Sequence, residues 1–113
     1  VDVYGGSGGE QDHFLGNLHV AFLFKNEMQI TFFDEFSRYF FIPKNFKIHE
    51  VEGKMISLLP FPFAEKISTN GLNWELFNEE LSITKRVGTR NFARENTVEI
   101  TYENGDVLIF IGN

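Results

Sequence analysis

The sequence predicts an all-β domain, an antiparallel β-sandwich or partly closed barrel of about eight short strands with a Phe-rich core and at most one short helix. Three observations carry that prediction. Apolar residues recur with a period of two along most of the chain. Turn residues punctuate the pattern at short intervals, Asn104-Gly105 being the strongest hairpin signal. No alternation of strand and helix patterns marks a parallel sheet.

Taken in order, Val1-Asp2-Val3-Tyr4 is a short β-prone stretch, and Gly5 to Gly9 reads GGSGG. A Gly/Ser tract behaves as a flexible coil. The expected organisation is therefore a tethered or fused peptide over 1–4, a linker over 5–9 that has the look of an engineered joint, and a single β domain over 10–113. The Gly-rich start is similar to that of jacalin-type lectins, but the likeness ends with these few residues, and the aromatic-Gly sugar loop of that family is absent. HVAFLFKNEMQITFF predicts a hairpin over 18–33. With Lys25, Asn26 and Glu27 as its loop, Val20, Phe22, Ile30 and Phe32 share one apolar face. SRYFFI (37–42) and FKIHEVEGKMISLL (46–59, turning at Glu52-Gly53-Lys54) read as strands, followed by NWELF and LSITKRV. NWELFNEEL alone has near-helical spacing. TVEITYENGDVLIFI predicts a second hairpin over 98–111, in which Val98, Ile100 and Tyr102 face Ile111, Ile109 and Val107. On its back, Leu108 and Phe110 need cover from a second element or form a binding surface.

Composition bounds the function. The 113 residues are 42% apolar and 23% charged, enough for one domain with its own core, and fourteen are Phe. The absence of Cys removes disulfides, thiolate metal sites and Cys nucleophiles. Together with the lack of an Asn-x-Ser/Thr sequon and of a signal-peptide pattern, this favours a cytoplasmic or nuclear location. No apolar run approaches the roughly 20 residues of a membrane span. A net charge of -6 argues against general nucleic-acid binding. The charge is uneven, since the run from Lys85 to Arg94 holds four of the ten basic residues and no acid.

Catalytic signals are sparse. His13, His19 and His49 stand apart from one another, so neither a metal nor another cofactor is expected. No serine has a nucleophile-elbow context, and GGSGG lacks the Lys-Ser/Thr of a phosphate loop. The sequence therefore predicts a non-catalytic module that binds a partner peptide by adding a strand to a sheet edge. The candidate partner surface is Lys85, Arg86, Arg90 and Arg94 for an acidic or phosphorylated peptide, with Phe61, Phe63, Leu108 and Phe110 as apolar anchors. Val1, Asp2, Val3 and Tyr4 are the candidate added strand, on the same chain or in a swapped homo-oligomer. Two alternatives stand beside it: a small-ligand or carbohydrate-binding barrel, and a nucleic-acid-binding domain that uses the basic run with Phe92 for stacking. Pro60 and Pro62 in SLLPFPF place that segment at an edge or a crossover, because proline cannot donate to a ladder.

Overall fold

The computed structural model describes residues 1–4, 11–83 and 88–113. The fold is mostly β, as predicted: among the described residues, nine strands form a curled, partly closed sheet in the order β1-β2-β3-β9-β5-β8-β4, with β6 and β7 added to β5, and one helix accompanies it. The ranges are β1 Asp2–Tyr4, α1 Gln11–Leu23, β2 Thr31–Phe33, β3 Ser37–Ile42, β4 Asn45–Ile48, β5 Met55–Asn70, β6 Glu79–Ser82, β7 Gly88–Phe92, β8 Val98–Thr101 and β9 Asn104–Gly112. No helix among the described residues is long and apolar enough to cross a membrane.

The helix lies where the sequence predicts the first strand of a hairpin. Leu18, Ala21 and Phe22 fall at i, i+3 and i+4, so a helix puts them on one face; Leu18 and Ala21 are buried, while Val20, expected inside, is 47% exposed. The run HVAFLF is apolar enough to satisfy either period, and packing against the sheet selects the helical one. NWELFNEEL, in contrast, is loop and strand. Val1 to Tyr4 does lie against an edge of its own chain: β1 pairs with β2 in parallel, Asp2 opposite Thr31 and Tyr4 opposite Phe33. The backbone N–H of Thr31 donates to the Val1 carbonyl at 2.7 Å. The sheet is thus mixed, and β1-α1-β2 is a strand–helix–strand unit that the sequence pattern does not show.

At the C-terminal end the predicted faces hold and the predicted pairing does not. Val98, Ile100, Tyr102, Val107, Ile109 and Ile111 all enter one core cluster. Yet β8 sits between β4 and β5, and β9 between β3 and β5, so the two never form a hairpin. A period of two fixes which face a residue occupies, not which strand lies beside it. Gly105 keeps the positive φ that suggested a turn, +93°, but its need is a close crossing: a Cβ there would lie 2.1 Å from the Phe63 carbonyl oxygen.

The prolines are also a correction. Pro60 and Pro62 lie inside β5, which is the central strand rather than an edge. Pro60 forms the last pair before the β5–β9 register slips, opposite Val107, and Pro62 falls in the gap before the pairing resumes at Ala64–Gly105. β3 and β9 are apolar on both faces. Phe40, Ile42, Ile109 and Ile111 face the main core, whereas Tyr39, Phe41, Leu108 and Phe110 face a second cluster with Leu18 and Ala21 of α1. Along that second face Phe32, Tyr39 and Phe110 stack across three strands at centroid spacings of 5.1 Å and 5.1 Å.

Candidate functional site

The segment between β5 and β6, residues 71–78, carries two exposed aromatic side chains, Trp74 and Phe77, on a backbone tied down by several hydrogen bonds. Its start is set by Gly71, whose φ of +101° brings it against the 97–98 backbone; a Cβ would lie 2.4 Å from the Thr97 carbonyl oxygen. Leu72 and Leu76 point into the main core and pin the segment at two points. Between them the Glu75 carboxylate turns back onto the chain. One oxygen accepts from the Thr69 hydroxyl at 2.8 Å and the Leu72 N–H at 3.0 Å, and the other from the Gly71 N–H at 2.9 Å. The Thr69 hydroxyl in turn accepts from the Leu76 N–H at 2.8 Å. The segment does not alternate like a strand: Asn73 and Trp74 lie exposed between the two buried leucines, Trp74 at 60%.

Strand β7 holds the other side. The Asn91 carboxamide accepts from the Trp74 N–H at 3.0 Å and donates to the Trp74 carbonyl at 2.7 Å. The same oxygen accepts from the Phe92 N–H at 2.9 Å. The Asn73 N–H donates to the Phe92 carbonyl at 2.8 Å, and Leu72 bridges to Ala93. Trp74, Phe77 and Phe92 are all exposed on this ridge, and Arg90 and Arg94 are exposed beside it on the strand and its exit. Flat aromatic faces on a fixed backbone, with cationic and amide groups adjacent, are suited to a planar heteroaromatic ligand. Arg90 has a φ of 59° and donates its backbone N–H to the Ser57 hydroxyl.

A concavity lies where β3 ends and β9 begins, a cleft of about 630 Å³ lined by Lys25, Gln29, Phe41, Lys44, Tyr102 and Asp106. One of its two lysines is already engaged: Lys25 pairs with Asp106 at 3.0 Å and lies 5.4 Å from the centre of the Phe22 ring. Burial, then the charge of Asp106, push the Tyr102 phenol up to about 12, against a backbone hydrogen bond from Val107.

Of the residues singled out in the sequence, Phe61, Leu108 and Phe110 share the second cluster, apart from Arg90 and Arg94 on β7 and its exit. Lys85 and Arg86 lie outside the described residues. Leu108 is fully buried, and Phe61 and Phe110 are half-buried in the second cluster, where Phe61 packs on Phe22 and Phe41. The cover Leu108 and Phe110 required is α1 and its neighbours. Phe63 is 42% exposed. Sequence reasoning missed Trp74, Glu75, Asn91 and Thr69. The available signal was that Trp74 is the single tryptophan of the chain, set among polar residues after a glycine. No group of three or more His, Cys, Asp or Glu that could hold a metal occurs among the described residues.

The fold is a mostly β domain with one helix packed on its curled sheet. Residues 42–107 match the family model described as "Thiamin pyrophosphokinase, vitamin B1 binding domain", and the chain belongs to that family. It is 36% identical over 106 residues to thiamine pyrophosphokinase 1 of Oryza sativa subsp. japonica, covering 88% of this chain and 39% of the relative. It is 33% identical over 117 residues to thiamine pyrophosphokinase 3 of the same species, covering 97% of this chain and 43% of the relative. The chain thus spans about two fifths of the curated relatives it matches. Among solved structures, thiamine pyrophosphokinase from Bacillus subtilis superposes with a TM-score of 0.89 at 20% identity, covering 99% of this chain and 54% of that one. The yeast enzyme superposes with a TM-score of 0.85 at 20% identity, covering 98% and 39%.

This membership corrects the functional reading of the sequence. The family is that of a kinase's vitamin-binding domain, so the non-catalytic, peptide-binding module with an acidic or phosphorylated partner is overturned, and with it strand addition as the mode of recognition and the swapped assembly. The partner class of the family is a small molecule. The reading failed because the Gly/Ser stretch and the basic run drew attention to termini and charge, while the exposed ridge depends on hydrogen bonds between residues far apart in sequence.

Proposed function

We propose that this chain is the thiamin-binding part of a thiamin pyrophosphokinase, the enzyme class that transfers pyrophosphate to thiamin, and that the vitamin lies on the ridge of Trp74, Phe77 and Phe92. The single observation that supports the location is Trp74, exposed yet fixed through both its backbone N–H and its carbonyl. Thiamin carries a thiazolium cation and an aminopyrimidine, both flat. An indole face attracts such a cation through its quadrupole, by about 0.5 to 2 kcal/mol according to how far the pair is desolvated. Arg90 and Arg94 stand beside the ridge as charge partners for phosphate oxygens on a pyrophosphorylated product. Pyrophosphate transfer itself belongs to the longer protein of which the family domain is a part. An intracellular location goes with this reading and is supported by the absence of cysteine.

Because Trp74 is the only tryptophan, its fluorescence reports the ridge alone. Titration with thiamin is expected to quench it saturably, and Trp74→Ala is expected to weaken thiamin binding, measured by calorimetry, about tenfold or more. Emission that does not respond to thiamin, or a Trp74→Ala chain that binds as well as the wild type, would sink this location for the site.

A further inference from the structure

We propose that Asn91 is a positioning residue for ligand binding: its carboxamide takes the place of a partner strand's peptide group and holds Trp74 in its binding orientation. The proposal rests on the reading that thiamin stacks on Trp74. A carboxamide has one acceptor and two donors on a planar frame, so it can reproduce the two hydrogen bonds that a neighbouring strand would make to a residue. Asn91 does this to Trp74, accepting from its N–H at 3.0 Å and donating to its carbonyl at 2.7 Å. Its oxygen also accepts from the Phe92 N–H at 2.9 Å, which locks the carboxamide to the backbone of its own strand.

The need for such a device follows from where Trp74 stands. The pairing of this segment with β7 and its exit runs from the bonds of the Arg94 and Glu95 N–H groups to the Gly71 carbonyl, through the Leu72–Ala93 bridge, to the bond from the Asn73 N–H to the Phe92 carbonyl, and then the chain turns away toward Leu76. Trp74 is the first residue beyond the reach of the β7 main chain. The side chain of Asn91 extends the pairing by one residue. Glu75, fastened to Thr69, Gly71 and Leu72, anchors the following position from the β5 side, so the indole is carried on a backbone held at both flanks. An exposed side chain on a mobile loop loses conformational freedom when a ligand orders it; one on a fixed backbone has less to lose. The ridge therefore gains affinity from rigidity at a residue that is not required to touch the ligand.

The test uses the full chain and the fluorescence of its single tryptophan. Asn91→Leu removes all three hydrogen bonds, whereas Asn91→Asp keeps the acceptors for both N–H groups and loses the donor to the Trp74 carbonyl. Steady-state anisotropy of Trp74 is expected to fall and acrylamide quenching to rise in Asn91→Leu. Thiamin affinity is expected to drop about tenfold, with recovery of part of the loss in Asn91→Asp. The far-ultraviolet melt separates this from unfolding, and should Asn91→Leu fail to fold, Asn91→Asp carries the comparison with the wild type. Anisotropy and thiamin affinity equal to the wild type in a folded variant would overturn the positioning role. Thiamin that leaves the wild-type indole unquenched would instead overturn the stacking on which the role rests. Quenching in the wild type with graded loss through Asp to Leu supports both.

Discussion

At the scale of single residues, Tyr102 ties chemistry to stability. Its ring is buried beside the Lys25–Asp106 pair and its hydroxyl donates to the Ile42 carbonyl. The phenolate could neither make that bond nor tolerate the desolvation, and its folded-state value of about 12 lies above the 10.0 of an exposed tyrosine. The raised value means that the folded state holds the proton more tightly. The stabilisation is complete below pH 10 and is lost as pH rises from 10 toward 12, amounting to about 2 to 3 kcal/mol for a shift of this size. Urea unfolding at pH 9 and pH 11.5 should show that loss in the wild type and not in Tyr102→Phe, which should itself cost about 0.5 to 1.5 kcal/mol at pH 7. Tyr102 was legible as an inward residue because its strand alternates. Asn91 was not legible as a ridge residue: it stands in the run from Lys85 to Arg94, where charge dominates the pattern, and its partner Trp74 is 17 positions away.

Among the elements, α1 shows how a pattern can mislead. Positions 18–24 satisfy a strand and a helix about equally, and the deciding term is the apolar outer face of β3 and β9, which needs a cover as broad as a helix. Two substitutions separate the two structures. A hairpin over 18–33 faces Val20 inward and Ala21 outward, and the helix reverses them. Ala21→Asp should therefore destabilise by at least about 2 to 3 kcal/mol through a buried charge, and Val20→Asp should stay within about 0.5 kcal/mol, read from thermal melts of the two variants. β3, Ser37–Ile42, was legible with its own ends, since SRYFFI is bounded by acids before and Pro-Lys after. The central role of β5 was not, because two prolines argue against a central strand wherever a register slip cannot be foreseen.

For the whole molecule, the all-β class followed from the period-two pattern and the dense turns, while the topology depends on which strands meet. Gly105 marks one meeting that no local rule contains. It lies 2.1 Å, by its absent Cβ, from the Phe63 oxygen and 2.8 Å from the Ala64 Cα, so the glycine is what lets β9 cross the bulge of β5. Gly105→Ala should shift backbone on both strands and cost at least about 2 kcal/mol, combining the clash with a strained φ. A variant with the wild-type melting temperature would mean that the crossing is looser than the structure has it.

The sixteen-residue β5 pairs with β6, β7, β8 and β9, whereas β1 pairs with β2 alone and β2 reaches the rest only through β3. Opening that central strand would release four others at once, so its amides can exchange with solvent deuterium only when the barrel unfolds as a unit. The β1–β2 margin is free to open by itself at lower free energy. Native-state hydrogen exchange should thus divide the chain into a slow unit around β5 and β9, which carries the Trp74 ridge, and a faster margin at β1 and β2. Destabilisation at that margin should leave the ridge intact until global unfolding.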